Sequence, residues 1–213
     1  MTPPPSETTF TDARARMVER QLRRRGIADE RVLDAMNTVP RERFVPRRER
    51  SRAYRDGALP IGSGQTISQP WIVAAMAQAL ELKDGERVLE VGCGSGYSAA
   101  VLSLLCGELV TIERHVALAD QAEALLQELG YTNVEVRAGD GTRGAADRGP
   151  FDGISVTATA EGAPPAALLE QLGPNGTLVC PLRRARGEHL VRFRGGTEET
   201  IAGVRFVPLV SDE

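Results

Sequence analysis

The sequence predicts an α/β domain built on a doubly wound, mostly parallel sheet. From Gly85 onward, short apolar runs alternate with helix-patterned segments. Repeated β-α units of this length require a parallel sheet covered on both faces. The first run ends in Glu90-Val91-Gly92-Cys93-Gly94-Ser95-Gly96, a glycine turn that joins a strand to a helix. A length of 213 residues suffices for one such domain and is short for two.

The elements follow in chain order. Residues 1–10 are rich in Pro, Ser and Thr and read as a flexible leader, with one domain over 11–213. Within it, 11–80 holds N-terminal helices and a loop, and 81–213 the α/β core. Thr11 or Asp12 can cap a helix running to about Arg25, which Gly26 ends. Asp29 caps a second helix that turns Val32, Leu33 and Met36 inward and stops at Pro40. The glycine-dotted stretch from Phe44 to Ile67 is longer than most connections, and Ile61, Ile67 and Trp71 give it apolar anchors. It therefore reads as an ordered, functional loop. A helix follows from Pro70 to about Leu80, with Ser68 or Gln69 as its cap.

Strands are expected at Arg87–Val91, Leu109–Ile112, Val134–Arg137, Phe151–Val156 and Thr177–Cys180, with helices at Tyr97–Leu105, Ala117–Leu129 and Pro165–Leu172. His189–Arg194 and Gly203–Val210 alternate like a closing antiparallel pair.

Composition excludes several functions. No apolar run approaches the roughly 18 residues of a membrane span, and the first residues lack a basic-then-apolar secretory pattern. A cytoplasmic protein is expected. Cys93, Cys106 and Cys180 stand singly and the only histidines are His115 and His189. Neither a zinc site nor a disulfide scaffold can be assembled from that set, and buried thiols are expected. Residues 1–60 carry 14 cations against 9 anions, yet the chain has a net charge of −3. Many of those arginines neighbour Glu or Asp on helix faces, as Arg16 and Arg20 flank Glu19, which reads as a solvated surface rather than a nucleic-acid patch.

The glycine turn carries the first chemistry. Glycines allow a tight turn and the close approach of a ligand, and exposed amides at a helix start favour an anionic group. Their spacing is Gly92, Gly94, Gly96; a dinucleotide fingerprint places its third glycine at position 97, which is Tyr97. The pattern suits S-adenosyl-L-methionine, which has no pyrophosphate to cradle. Glu113, 21 residues after Gly92 at the end of the second strand, can accept both ribose hydroxyls. Gly139-Asp140-Gly141 supplies another carboxylate at the same sheet edge.

Further segments carry a resemblance. Val39-Pro40-Arg41-Glu42-Arg43-Phe44-Val45-Pro46, Ala53-Tyr54-Arg55-Asp56, Leu59-Pro60-Ile61-Gly62 and Gln65-Thr66-Ile67-Ser68-Gln69-Pro70 resemble the protein-L-isoaspartate O-methyltransferase family. So do Gly94-Ser95-Gly96-Tyr97, Ile112-Glu113-Arg114, Gly139-Asp140-Gly141 and Phe206-Val207-Pro208-Leu209. The similarity runs from about residue 14 to 210. Its most specific part is the Gln65–Pro70 block, which methyltransferases in general lack.

The resemblance implies a Rossmann-like class I methyltransferase fold and methyl transfer from S-adenosyl-L-methionine to the α-carboxylate of an L-isoaspartyl residue, leaving S-adenosyl-L-homocysteine. The ester then collapses to a succinimide, which initiates repair. The implied partners are isoaspartyl-containing proteins or peptides, with no metal, nucleic acid or membrane, and a monomer. By the same carry-over Ser68 is the catalytic residue, orienting the substrate carboxylate; as a plain helix cap it has a bland alternative, and both can coexist. Gln65, Thr66 and Ile67 would line the substrate groove, with Leu59, Pro60 and Ile61 as its outer wall and Tyr54 on that wall or in the core. Gly92, Cys93, Gly94, Ser95 and Gly96 would hold the methionyl part of the cofactor, Glu113 the ribose, and Asp140 with Gly141 the adenine. Thr157 would border the transfer site.

Three positions depart from the family pattern. Cys93 replaces a common Thr, Ser63 stands where bulkier residues are expected and loosens a pocket wall, and Arg183–Arg186 is unusually basic. If that last segment faces the groove it favours acidic peptides; otherwise it is a solvated turn. Alternatives to repair are a dedicated aspartate O-methyltransferase of a ribosomally made peptide pathway, which would be expected to carry extra binding segments, and a catalytically silent adenosylmethionine-binding module. A nucleic-acid methyltransferase lacks the Asn/Asp-Pro-Pro-Tyr/Phe motif.

Overall fold

The computed structural model describes residues 7–212, with side chains from Thr9. The first helix, α1, spans Glu7–Met17, starting inside the stretch assigned to the leader. It continues through a wide turn at Val18–Leu22 and a tight one at Arg23–Arg25. Gly26 ends it with φ +91°, the left-handed conformation that glycine adopts without strain. Helix α2, Glu30–Thr38, is capped by the Asp29 carboxylate, which accepts from the Arg31 and Val32 amides.

The long loop contains a hairpin that periodicity did not reveal. Strands β1, Leu59–Gly62, and β2, Gln65–Ile67, pair antiparallel across Ser63-Gly64. Both turn residues have positive φ, 50° and 71°, as a twisted two-residue hairpin turn requires. Ser63 therefore sits at an exposed tip and loosens no pocket wall, contrary to expectation. Helix α3, Pro70–Leu80, follows. Its N-cap is Gln69, which makes no side-chain capping bond, so the cap role offered for Ser68 is not used.

The core then runs β3 (Arg87–Val91), α4 (Tyr97–Ser103), β4 (Glu108–Glu113), α5 (Val116–Glu128), β5 (Val134–Ala138), β6 (Phe151–Val156), β7 (Ala160–Glu161), α6 (Ala166–Glu170), β8 (Leu172–Arg184), β9 (Gly187–Arg194) and β10 (Thr197–Gly203). The sheet order is β10-β9-β8-β6-β3-β4-β5, with the short β7 beside β8. Strands β5, β4, β3, β6 and β8 are parallel, while β8, β9 and β10 alternate in direction. Adjacent residues of one strand enter opposite cores. Val88, Leu109, Val179 and Leu190 face the cluster that includes the N-terminal helices, α3 and α4, whereas Leu89, Val110, Leu178 and Val191 face the second cluster with Leu168. Both sheet faces are thus covered, which is why the middles of these strands are buried and mostly apolar.

The expected closing antiparallel pair is present, with its second strand earlier in the chain than the pattern predicts. The partner of β9 is Thr197–Gly203, and residues 204–210 run on as irregular chain with a single bridge from Pro208 to Thr159. Gly195 and Gly196, φ 54° and 75°, form the tight turn after Arg194. A Thr-Glu-Glu-Thr run is suited to an exposed edge strand.

Buried in β3, Glu90 accepts a 2.6 Å hydrogen bond from Thr111 on β4, its register partner. Its other oxygen has no hydrogen-bond partner among the described residues, and burial pushes the carboxyl from about 4.5 up to about 7. Between those values the folded state binds more protons than the unfolded one, so stability falls as pH rises through this window. Glu90→Gln should flatten that slope and raise stability at pH 8 by a few kcal/mol, read from denaturant midpoints at pH 5 and 8. Equal pH slopes in both proteins would contradict this account of Glu90.

Candidate active site

In an open α/β sheet the ligand crevice lies outside the strand carboxyl ends, where the strand order reverses. Here that point is between β3 and β6, because the chain adds β4 and β5 on one side of β3 and β6 on the other. Val91 and Val156 are register partners, and the Thr157 amide donates to the Val91 carbonyl at 2.8 Å. This places Thr157 against the glycine turn. Its hydroxyl donates to the Gly92 carbonyl at 2.7 Å. A Cβ on Gly92 would meet that hydroxyl at 2.2 Å, and Gly92, Gly94 and Gly96 all have positive φ. The turn therefore needs glycine for both conformation and space.

A cavity of about 440 Å³ opens over this turn. Gly92, Cys93, Gly94, Ser95, Glu113, Gly141 and Thr157 line it, and so do Gln65, Thr66, Ile67 and Ser68. The buried Glu113 carboxylate accepts from the Gly94 amide at 2.8 Å through one oxygen and from the His115 amide at 2.9 Å through the other. Each carboxylate oxygen can accept more than once, so capacity toward a diol remains. Cys93 is buried, and that burial raises its thiol well above the ordinary range, which holds it neutral.

Several expected residues lie elsewhere. Gly96 turns the chain into α4 and faces Ala122 and Leu126 rather than the cavity. Asp140 caps the turn Gly141–Arg143, accepting from the Thr142 amide at 2.9 Å and hydroxyl at 2.7 Å. Its second oxygen accepts from the Asp212 amide at 3.1 Å, so its side chain ties down the tail instead of lining the cavity. Leu59 is in the core, Pro60 is exposed, and Ile61 packs beneath Gly94, so none of the three is a groove wall. Tyr54 is core as well, its hydroxyl donating to Glu42.

A second concavity, about 640 Å³, adjoins the first. Thr66, Ser68, Thr157 and Val207 line both. Ser68 thus stands at the junction, and its hydroxyl makes no hydrogen bond among the described residues. Its backbone is fixed from below by Arg41, whose guanidinium donates to the Ser68 carbonyl at 2.7 Å and the Ala53 carbonyl at 2.7 Å. Arg41 is fully buried and lies 4.7 Å from the centre of the Tyr97 ring. The Val39–Pro46 motif is therefore structural support for Ser68.

Sequence reasoning missed the tail. Val207, Pro208, Leu209 and Val210 wall the first cavity, held by hydrogen bonds between Thr159 and both Val207 and Leu209, each 2.8 Å. It also missed the groove's far side, Gly187–His189 and Gly203–Val207, which only the β8–β9–β10 topology brings beside Ser68. Of the basic segment, Arg183 is bound to Glu161 and Glu188 and Arg184 to Glu198, while Arg186 lines the groove.

Comparison with known proteins decides the family. The model of the protein-L-isoaspartate(D-aspartate) O-methyltransferase family matches residues 13–213. The chain belongs to that family. A protein-L-isoaspartate O-methyltransferase of Roseiflexus sp. (strain RS-1) is 53% identical over 94% of this chain and 93% of its own length. One from Rhodopseudomonas palustris (strain HaA2) is 52% identical over 99% of this chain and 89% of its own. Among solved structures, a protein-L-isoaspartate O-methyltransferase superposes with a TM-score of 0.83 at 27% identity, covering 93% of this chain and 66% of that one. A Plasmodium falciparum candidate of the same activity, solved with S-adenosyl-L-homocysteine, gives 0.80 at 25% identity over 92% and 98%.

Proposed function

We propose that this protein transfers a methyl group from S-adenosyl-L-methionine to the α-carboxylate of L-isoaspartyl residues, starting their repair through a succinimide. The observation that carries this reading is the meeting of two cavities at Ser68, one over the glycine turn and one beside the β8–β9 turn and the chain that follows β10. The first fits the cofactor: glycines leave room for close approach, and Glu113 offers a buried acceptor for ribose. Gly92 to Ser95, Glu113, Gly141 and Thr157 are the residues that would hold it. Bound there, S-adenosyl-L-methionine supplies an electrophilic methyl.

The remaining work belongs to the protein. A substrate carboxylate is already ionised at neutral pH, so no strong general base is needed, and neither histidine is required for one. The Ser68 hydroxyl donates to one carboxylate oxygen and so aims the other. Ile67, Ile112, Val207 and Leu209 give the first cavity an apolar lining that excludes water. The neutral thiol of Cys93 takes no part. No described helix is long and apolar enough to cross a membrane; action in the cytoplasm, as a monomer and on protein chains rather than nucleic acid, completes the reading.

The test is transfer of labelled methyl to two peptides that differ only in isoaspartate against aspartate at one position. Label on the isoaspartyl peptide alone, later released as methanol, is expected. Label on neither, with cofactor still bound, would overturn the reading.

A further inference from the structure

The groove beside Ser68 carries uncommitted positive charge. Elsewhere on the same strands arginines are matched to carboxylates: Arg184 with Glu198, and Arg192 and Arg194 with Glu81. Arg186, in the two-residue turn between β8 and β9, and Arg205, just after β10, are exposed and make no ion pair among the described residues. Both line the groove. The one carboxylate among its described lining residues, Glu188, is already engaged, with Arg183 at 2.6 Å, the Thr159 hydroxyl at 3.2 Å and the Phe206 amide at 3.2 Å. His189 and neutral residues complete the lining. Among the described residues, a bound peptide therefore meets two free guanidinium groups and no free carboxylate.

We propose that Arg186 and Arg205 are specificity-determining residues that favour isoaspartyl segments carrying Asp or Glu close to the damaged residue. The proposal rests on the reading that this groove takes the peptide. An extended chain advances about 3.3 Å per residue, so acidic side chains within two or three positions of the isoaspartate stay inside a groove of this size. A guanidinium offers a carboxylate two parallel donors. Exposed pairs of this kind are individually weak, and two together should be worth about 3- to 10-fold. The effect should shrink with salt, since screening shortens to about 3 Å at 1 M.

Three isoaspartyl peptides of equal length, with flanking residues acidic, neutral or basic, test this in the full chain. Methylation kcat/KM and the binding of fluorescently labelled peptides are measured together at low and high salt. Expected is the order acidic, neutral, basic, carried by KM and compressed at 1 M salt. In the Arg186→Glu/Arg205→Glu double variant that order should reverse. Equal kcat/KM and binding across the three peptides, or an acidic preference that survives the double variant, would overturn the proposal. Acidic-first binding with no methylation of any isoaspartyl peptide would uphold the groove's selectivity while overturning the proposed reaction.

Discussion

Glu113→Gln is expected to weaken S-adenosyl-L-methionine binding by about 10- to 100-fold, the range set by losing one or two hydrogen bonds to a charged group. The carboxylate holds two backbone amides at once, Gly94 at 2.8 Å and His115 at 2.9 Å, and it does so while buried. Glutamine keeps the shape but has a single acceptor oxygen. Its amide nitrogen would then confront one backbone N–H, donor against donor, and that N–H would be left buried and unpaired. The turn that must receive the methionyl group would loosen, and the acceptor proposed for the ribose would be lost in the same substitution. Calorimetric titration with S-adenosyl-L-methionine reads this directly, with a thermal melt to establish that the fold persists. Unchanged affinity would remove Glu113 from the cofactor site.

That Glu113 was legible in the sequence follows from its position at the end of a strand whose register the apolar pattern fixes. Strands β3, β4 and β6 are buried over most of their length because both sheet faces are covered, and a glycine turn after the first of them has one place to go. The hairpin β1–β2 was not legible: three- and four-residue strands are too short to show a period, and Ser63 occupies a left-handed position that composition alone assigns to glycine. Chain 204–210 was misread for the opposite reason, since its alternation is real but serves a wall rather than a ladder. Pro208 lacks the N–H that a strand interior would use. The edge falls instead to Thr197–Gly203, whose pattern is mostly polar and whose place is set by the Gly195-Gly196 turn. Asp140 shows how a residue can be read near its correct place yet be engaged otherwise. It stands at the right sheet edge, but its side chain is committed to a tight turn and to the tail. Such commitments depend on where residues 211 and 212 run, which no local spacing encodes.

Ser68→Ala should lower kcat for isoaspartyl methylation by about 10- to 100-fold while leaving cofactor affinity and stability essentially unchanged. A misplacement of about 1 Å in a positioned reaction can cost on the order of 10²-fold, which bounds the effect from above. Three features of the structure make this substitution a clean one. The hydroxyl has no hydrogen bond to lose among the described residues, so no internal partner is orphaned. The next helix takes its cap at Gln69 without a side-chain bond, so truncation at Ser68 removes no cap. And the backbone here is held by the Arg41 guanidinium on the Ser68 carbonyl at 2.7 Å, a bond that alanine preserves. A drop in kcat with an intact melt and intact cofactor binding therefore isolates the hydroxyl's action on the substrate carboxylate. If Ser68 were merely structural, the melt would move and kcat would not. Ser68→Thr keeps a donor at the same place and should recover part of the rate, whereas alanine-level turnover in threonine would mean that the space beside the hydroxyl, not the proton it donates, governs the reaction.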